Sequence, residues 1–218
     1  MATFIDLCHI IEDGMLTYIG LPGPKIGDHL SREDSRPHYA AGTTFQIGKI
    51  EMVANTGTYI DAPFHRYAEG RDLSKLPLAS VANLDGVVFH VTSAERAITP
   101  DLFEGSRVAD TAVLIHTGWD RHWGTDKYFE NYPYLTRKSA EYLKSAGAVL
   151  VGIDSLNIDD NTDGTRPAHT ILLGSDIPIV EHLCNLSALP DTGFKFFAVP
   201  APVQAVGSFP VRAFAMVD

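Results

Sequence analysis

Apolar and polar positions along the chain predict more strands than helices. Residues 44–53 alternate between apolar and polar side chains, which predicts a half-buried strand. Residues 112–117 and 148–153 are continuous apolar runs, typical of strands covered on both faces. Further β-branched or apolar segments predict strands at residues 86–92, 195–199 and 211–217. The pattern therefore indicates a sheet that supplies most of the core.

The helical signals are fewer. Thr136 is predicted to cap a helix that stops at Gly147. The spacing of Ile179, Val180 and Leu183 predicts a second helix over residues 177–186, and a helical turn is expected at residues 97–104. Buried strands beside helices predict an α/β or α+β chain with a mixed sheet. No internal repeat or linker divides it, so we expect one domain over residues 1–218.

Composition and charge restrict the kinds of binding partner that we expect for this chain. Of the 218 residues, 45% are hydrophobic, which is enough for a sizeable core. The net charge of -10 repels phosphate backbones and argues against a nucleic-acid partner. No stretch approaches the roughly 20 apolar residues that span a bilayer, so no membrane association is expected. The N-terminus lacks the features of a signal peptide, which predicts a cytoplasmic location.

The segment from Asn55 to His65 carries the clearest chemical signal. It follows a predicted strand, and rigid scaffolds often display reactive groups on such loops. Gly57 permits a tight turn, and Pro63 fixes the direction of the chain toward His65. Asp61 and His65 could converge on one metal ion or one water molecule. An Asp near a His in a loop is also a common structural pair, so this segment alone decides nothing.

A second set of polar residues follows the apolar run at residues 148–153. In open α/β sheets, sites gather at the carboxyl ends of strands, where Asp154 lies. His169 adjoins an apolar segment, and Glu181 interrupts the apolar face of the predicted helix, although a carboxylate there could also point to water. The acidic run at residues 159–164 lacks the spacing of a calcium loop and is interpreted as a solvated turn.

The motif Asn55-x-Gly57-Thr58-Tyr59-x-Asp61-x-Pro63-x-His65 resembles a known signature. That signature, His-x-Gly-Thr-His-x-Asp-x-Pro-x-His, belongs to the cyclase family, which includes bacterial kynurenine formamidases and isatin hydrolases. Residues 5–9, 152–155, 167–169 and 177–183 resemble other parts of the family pattern, in the same order. The resemblance implies a swivelling β/β/α fold with a mixed sheet, and a homo-oligomer.

The resemblance also implies roles for individual residues. Asp61, His169 and Glu181 correspond to metal ligands, and His65 to the catalytic acid/base. Asn55 and Tyr59 stand where the family has two further ligand histidines. An amide or a phenol binds zinc poorly, which argues against a dinuclear site. One divalent ion (Zn, Mn or Mg) is expected on the three remaining ligands, with a position open for water.

The function implied is hydrolysis of a small amide, lactam, lactone or ester, of the kynurenine formamidase (arylformamidase) kind. Tyr59 joins His65 as a candidate catalytic group, and Asn55, Trp119 and Trp123 are candidate pocket residues. The aromatic region after residue 117 could instead pack a long loop or an interface. Two alternatives stay open: a small-molecule binder that has lost catalysis, and a metal-free cyclase, isomerase or dehydratase.

Overall fold

A computed structural model describes residues 1–217. Its thirteen strands are β1 (Thr3–Asp6), β2 (Lys25–Leu30), β3 (Ile47–Glu51), β4 (Tyr59–Asp61), β5 (Leu84–His90), β6 (Ala97–Ile98), β7 (Thr111–His116), β8 (Tyr134–Leu135), β9 (Leu150–Ile153), β10 (Ile179–Glu181), β11 (Thr192–Phe197), β12 (Ser208–Pro210) and β13 (Phe214–Val217). The α-helices are α1 (Arg32–Ser35), α2 (Arg137–Ser145) and α3 (Pro167–Leu173). Short 3-10 turns span Arg36–His38, Pro63–His65, Leu73–Lys75, Leu78–Ser80, Pro100–Leu102, Trp119–His122, Asp126–Phe129 and Leu186–Ala188.

Nine strands form one mixed sheet in the order β1-β13-β11-β5-β7-β9-β10-β4-β12. Strands β5, β7, β9 and β10 are parallel, and the flanking pairs are antiparallel. Two small sheets stand apart from it, a β2–β3 hairpin and the pair β6–β8. The mixed sheet and the α/β class agree with the sequence prediction.

The core lies on both faces of the sheet because successive residues of a strand point to opposite sides. On one face, Leu114 packs in a cluster with Val180 and Phe196. On the other face, Ile115 packs in a cluster with Leu143 of α2 and Leu172 of α3. The predicted continuous apolar run of β7 is thus buried on both sides. None of the helices within residues 1–217 has the length and apolar character needed to cross a bilayer.

Several predicted elements are confirmed with shifted ends. Helix α2 begins after Thr136, whose side chain accepts a hydrogen bond from the Ser139 backbone N–H. The helix ends just before Gly147, which has a left-handed φ of 84°. The turn expected near residue 100 is the 3-10 turn Pro100–Leu102. Capping chemistry is local, which is why the sequence places this helix correctly.

The helix predicted over residues 177–186 is wrong. Residues Ile179–Glu181 instead form strand β10, which lies between β9 and β4. Asp176 and His182 have φ values of 58° and 57°, outside the right-handed helical region, so the chain turns on both sides of this short strand. Helix α3 was not predicted, although Pro167 at its first turn is a typical start.

The strand predicted at residues 44–53 exists as β3, but it is not half-buried. Every residue of β3 is exposed, and its partner strand β2 is almost entirely exposed as well. The alternation that suggested one covered face therefore has no covering layer within residues 1–217.

Candidate active site

The site is built around strand β4, which lies between β10 and β12. Asp61 is opposite Ile179 on one side and Ser208 on the other, and Tyr59 is opposite Glu181. Sheet pairing therefore brings together side chains that are more than a hundred residues apart in sequence. Asp61 and Glu181 are completely buried beneath the surface that these strands share.

His169, on helix α3, completes the cluster. Its Nε2 atom lies 3.6 Å from Asp61 Oδ2 and 3.7 Å from Glu181 Oε1. Buried Asp159 orients the ring, because its carboxylate lies 2.7 Å from His169 Nδ1 and also accepts hydrogen bonds from the backbone N–H groups of Ala168 and His169. A carboxylate behind an imidazole in this way fixes the ring and directs the other nitrogen forward. Burial alone lowers the pKa of His169, but the hydrogen bond to Asp159 and the nearby carboxylates of Asp61 and Glu181 raise it to about 10.

Glu181 is anchored through both of its oxygens. Oε1 accepts a hydrogen bond from the backbone N–H of Ile158 at 2.7 Å, and Oε2 accepts one from the Tyr59 hydroxyl at 2.5 Å. Burial raises the pKa of the Glu181 carboxyl to about 7. Burial and the neighbouring Glu181 raise the pKa of Tyr59 well above its usual value, so the phenol keeps its proton and donates it. Tyr59 thus holds Glu181 in place.

His65 lies at the open side of the cluster. Ligand atoms of Asp61, His65 and His169 all lie within 4.8 Å of one another. Ser208 Oγ bridges two of these residues: it donates to Asp61 Oδ1 and lies 2.9 Å from His65 Nδ1. Because the single hydroxyl proton goes to Asp61, His65 Nδ1 is the donor in the second bond. His65 Nε2 then keeps a lone pair that can accept a proton.

Gly207 permits this close approach of strand β12. A Cβ atom at this position would lie 2.3 Å from the backbone nitrogen of His65 and 2.5 Å from its Cα, which no side chain could accommodate without moving the backbone. The backbone N–H of Ala62 donates to the Gly207 carbonyl at 2.7 Å. Backbone contact and the Ser208 side chain together fix the position of His65.

The donor set fits a divalent metal ion. Asp61 Oδ2 is a buried acceptor without a hydrogen-bond partner, and it faces His169 Nε2. Asp61, Asp159 and Glu181 place three buried carboxylates around one imidazole, and a bound divalent cation would balance this negative charge. Asp61 and His169 belong to either possible ligand set, with Glu181 or His65 as the third member.

A cavity of about 400 Å³ opens above this cluster. One wall is apolar and consists of Tyr18, Ile19, Gly20 and Leu21. The polar wall and the floor are formed by Asn55, Tyr59, His65, Arg66, Asn157, Arg166, His169 and Glu181. The structure therefore brings Asn55, Tyr59, His65, His169 and Glu181 to one cavity, with Asp61 buried behind its floor.

Trp119 and Trp123, predicted to line the pocket, are not on its wall. They belong to an aromatic cluster around Tyr128, Tyr132 and Leu156. Trp123 stacks on His9 with ring centroids 3.9 Å apart. These aromatic rings pack against one another beside the site. This is the alternative packing role that the sequence also allowed.

Sequence reasoning missed several residues that the structure places at the site. Ser208, Asn157 and Arg166 carry no motif of their own. Asp159 was included in the solvated turn at residues 159–164; it is fully buried, and the turn begins after it. Its spacing from the Pro167-Ala168-His169 segment was the available signal, since a buried Asp can cap and orient such a segment.

Comparison with known proteins identifies a family model and relatives that cover most of the chain. The family model described as "Putative cyclase" matches residues 5–160. The kynurenine formamidase of Geobacillus thermodenitrificans is 32% identical over 180 residues, covering 82% of this chain and 84% of that protein. The kynurenine formamidase of Bacillus cereus is 27% identical over 225 residues, covering 96% of this chain and 95% of that protein.

Solved structures show that the fold is shared. An isatin hydrolase bound to the product analogue thioisatinate superposes with a TM-score of 0.83 at 23% identity, over 99% of this chain and 92% of that one. A potential metal-dependent hydrolase with cyclase activity superposes with a TM-score of 0.81, also at 23% identity, over 100% and 99% of the two chains. Taken with the relatives above, this defines an enzyme of the hydrolase class. The chain belongs to the cyclase family, whose model covers most of its length.

Proposed function

We propose that the chain is a metal-dependent hydrolase of small amides, with one divalent ion on Asp61, His169 and Glu181. The observation that carries this proposal is that Asp61 Oδ2, which has no hydrogen-bond partner, and Glu181 Oε1 both lie close to His169 Nε2. These three atoms lie beneath a cavity of substrate size. Relatives named kynurenine formamidase and a fold neighbour named isatin hydrolase support amide cleavage. The substrate is an aryl formamide or a fused lactam, with lactone and ester cleavage as related reactions.

The residues divide the chemistry between them. A divalent ion supplies Lewis-acid chemistry, polarising a carbonyl group and lowering the pKa of water. His65 is the acid/base: Nε2 takes a proton from the attacking water and returns it to the leaving nitrogen as the C–N bond breaks. Ser208 and Asp61 keep Nδ1 protonated, so that the lone pair remains on Nε2. Tyr59 orients Glu181, and Asn55 lies on the cavity wall.

The working form is a cytoplasmic homo-oligomer. The argument for assembly is the β2–β3 hairpin, whose cross-strand pair Ile26 and Ile50 is 41% and 59% exposed in one copy. A second copy of the chain covers this face of the hairpin.

Metal analysis and turnover test the function together. We expect the purified protein to carry about one equivalent of Zn, Mn or Mg by mass spectrometry, and to hydrolyse N-formylkynurenine or isatin in an absorbance assay. Asp61→Asn should lose the metal and lower kcat/KM by at least roughly 100-fold. Asp101→Asn, an exposed carboxylate outside the cavity, is the matched control.

Removing the metal with a chelator provides a test that needs no variant. Activity that disappears with the metal and returns on its addition supports the mechanism. Metal-free protein that still turns over either substrate would contradict it. Binding of both compounds without turnover by metal-replete protein would instead identify a small-molecule binder.

A further inference from the structure

Arg166 is a cavity cation that contacts the Tyr18 side chain and feels the negative charges of Glu181 and Asp159, but it forms no close ion pair with the described residues. Other arginines of the chain, such as Arg71, Arg96 and Arg212, each pair with an aspartate. Among residues 1–217, no Asp or Glu side chain lies within ion-pair distance of the Arg166 guanidinium, which is half-buried and lines the cavity. A guanidinium removed from water is costly unless an anion or several acceptors compensate it.

Two asparagines fix the orientation of this guanidinium. Arg166 Nη1 donates to Asn157 Oδ1 at 2.9 Å and to Asn161 Oδ1 at 2.6 Å. These two bonds use two of the five N–H donors of the side chain. Nη2 and Nε therefore keep donors, arranged in the planar fork that matches a carboxylate.

The backbone at Arg166 is strained to hold this position. Its φ of 47° and ψ of 62° place a residue with a long side chain in the left-handed region. That conformation is unfavourable for a residue other than glycine, and such strain concentrates at functional sites. Asn157 connects Arg166 to the reaction centre, because its side-chain nitrogen lies 3.4 Å from Glu181 Oε2.

Arg66, also at the cavity, is less suited to bind a ligand. It is exposed, its Nε lies 3.3 Å from Thr170 Oγ1, and its guanidinium lies over the ring of Tyr67. It adds positive charge to the cavity mouth, whereas Arg166 offers an oriented pair of donors.

We propose that Arg166 forms a carboxylate-binding subsite, so that the preferred substrates are amides that also carry a carboxylate. This inference rests on the proposed function and adds a substrate class to it. The carboxylate of the substrate pairs with Nη2 and Nε of Arg166, and the apolar wall at Ile19 and Leu21 contacts the rest of the molecule. The scissile amide is then held over the Asp61–His169 pair.

The kinetic test uses a matched pair of substrates, a formanilide that carries a ring carboxylate and the corresponding carboxamide. The wild type should prefer the carboxylate by roughly 10- to 100-fold in kcat/KM, as a charge-assisted contact implies. Arg166→Gln should raise KM for the carboxylate, and it should lower kcat/KM for the carboxylate by roughly 10- to 100-fold more than it lowers kcat/KM for the carboxamide. Arg166→Lys should recover part of the loss. Arg137→Gln, which removes an exposed arginine outside the cavity, is the control.

A binding test separates this inference from the proposed function. Calorimetry with benzoate and benzamide requires no turnover. We expect the wild type to bind benzoate more tightly than benzamide, and we expect Arg166→Gln to bind benzoate only weakly. If benzoate binds in this way but neither formanilide is hydrolysed, the subsite stands and the proposed function fails. If Arg166→Gln does not fold, Arg166→Asn replaces it, because asparagine tolerates left-handed φ.

Three results would overturn the subsite. The first is equal turnover of the two formanilides by the wild type. The second is a loss of kcat in Arg166→Gln that is equal for both formanilides. The third is benzoate binding that survives Arg166→Gln but disappears in Asp61→Asn, because the metal ligands would then be holding the carboxylate.

Discussion

At the residue scale, His169 is held from both sides. Asp159 binds its Nδ1, while Asp61 and Glu181 lie in front of its Nε2. All three carboxylates are fully buried, so the ring has little freedom to turn. A metal ion bound at this position would find its ligands oriented beforehand, which reduces the conformational cost of binding.

Ser208 provides the test of how His65 is positioned. Ser208→Ala removes the donor to Asp61 and the acceptor for His65 Nδ1 in one step. We expect kcat to fall by roughly 10- to 100-fold, with KM nearly unchanged. Ser208→Thr keeps the hydroxyl and should restore much of the rate. Exposed Ser106→Ala is the control, and an unchanged kcat in Ser208→Ala would remove Ser208 from the account.

Each of the residues that the sequence predicted and the structure places in this cluster lies in a local motif. Asp61 and His65 lie in one recognisable segment, and His169 and Glu181 lie in two others. Ser208 has no such context, and it reaches Asp61 only through the register of strand β12 beside β4. Register is a property of the folded sheet, because one residue of slip would point Ser208 to the opposite face.

At the element scale, the β2–β3 hairpin exposes large apolar side chains to solvent. Ile26 and Ile50 are paired across the two strands, with exposed fractions of 41% and 59%. An isolated two-stranded hairpin is marginally stable in water. An extended apolar surface of this kind is typical of a protein interface.

Ile50→Lys tests the hairpin as an assembly surface. We expect light scattering coupled to size exclusion to give a dimer or larger oligomer for the wild type, and a smaller species for the variant. The variant should also melt at a lower temperature than the wild type, because dissociation removes the stabilisation that assembly provides by mass action. Lys49→Gln, on the opposite face of the same strand, should leave the mass unchanged. A wild type that is monomeric at micromolar concentration would contradict the proposed assembly.

The elements also show where periodicity misleads. Residues Ile179, Val180 and Leu183 have helical spacing, yet the chain turns at Asp176 and His182 leave only a three-residue strand. Pairing with β9 and β4 decided the outcome, and these strands lie far away in sequence. Helix α2, in contrast, was predictable because Thr136 and Gly147 carry its start and stop signals locally.

At the scale of the whole molecule, the partly buried His9 and the fully buried His182 couple stability to pH. Burial lowers the pKa of His9 to about 4 and that of His182 to about 3. The Nε2 atom of each is buried without a hydrogen-bond partner, so neither ring has an acceptor for an added proton there. The unfolded chain, in which a histidine has a pKa near 6.5, takes up protons first as the pH falls.

The sign follows from this difference in proton uptake. The contribution of His9 to the free energy of unfolding is complete above about pH 6.5 and is lost as the pH falls toward 4. The loss is on the order of 2 kcal/mol for this residue. Urea unfolding of His9→Gln at pH 7 and pH 4.5 should show a smaller pH dependence than the wild type. Exposed His38→Gln should behave as the wild type, and equal slopes for all three proteins would contradict the assignment.

The placement of β12 beside β4 has a consequence for biosynthesis. A nascent chain that ends at Pro200 already contains the complete set of predicted ligands and His65, but not the serine that holds the imidazole. Contacts between distant parts of a chain form late, because a large loop must close first. We therefore expect a chain synthesised only as far as Pro200 to lack full activity, because β12 must pair with β4 before Ser208 can hold His65.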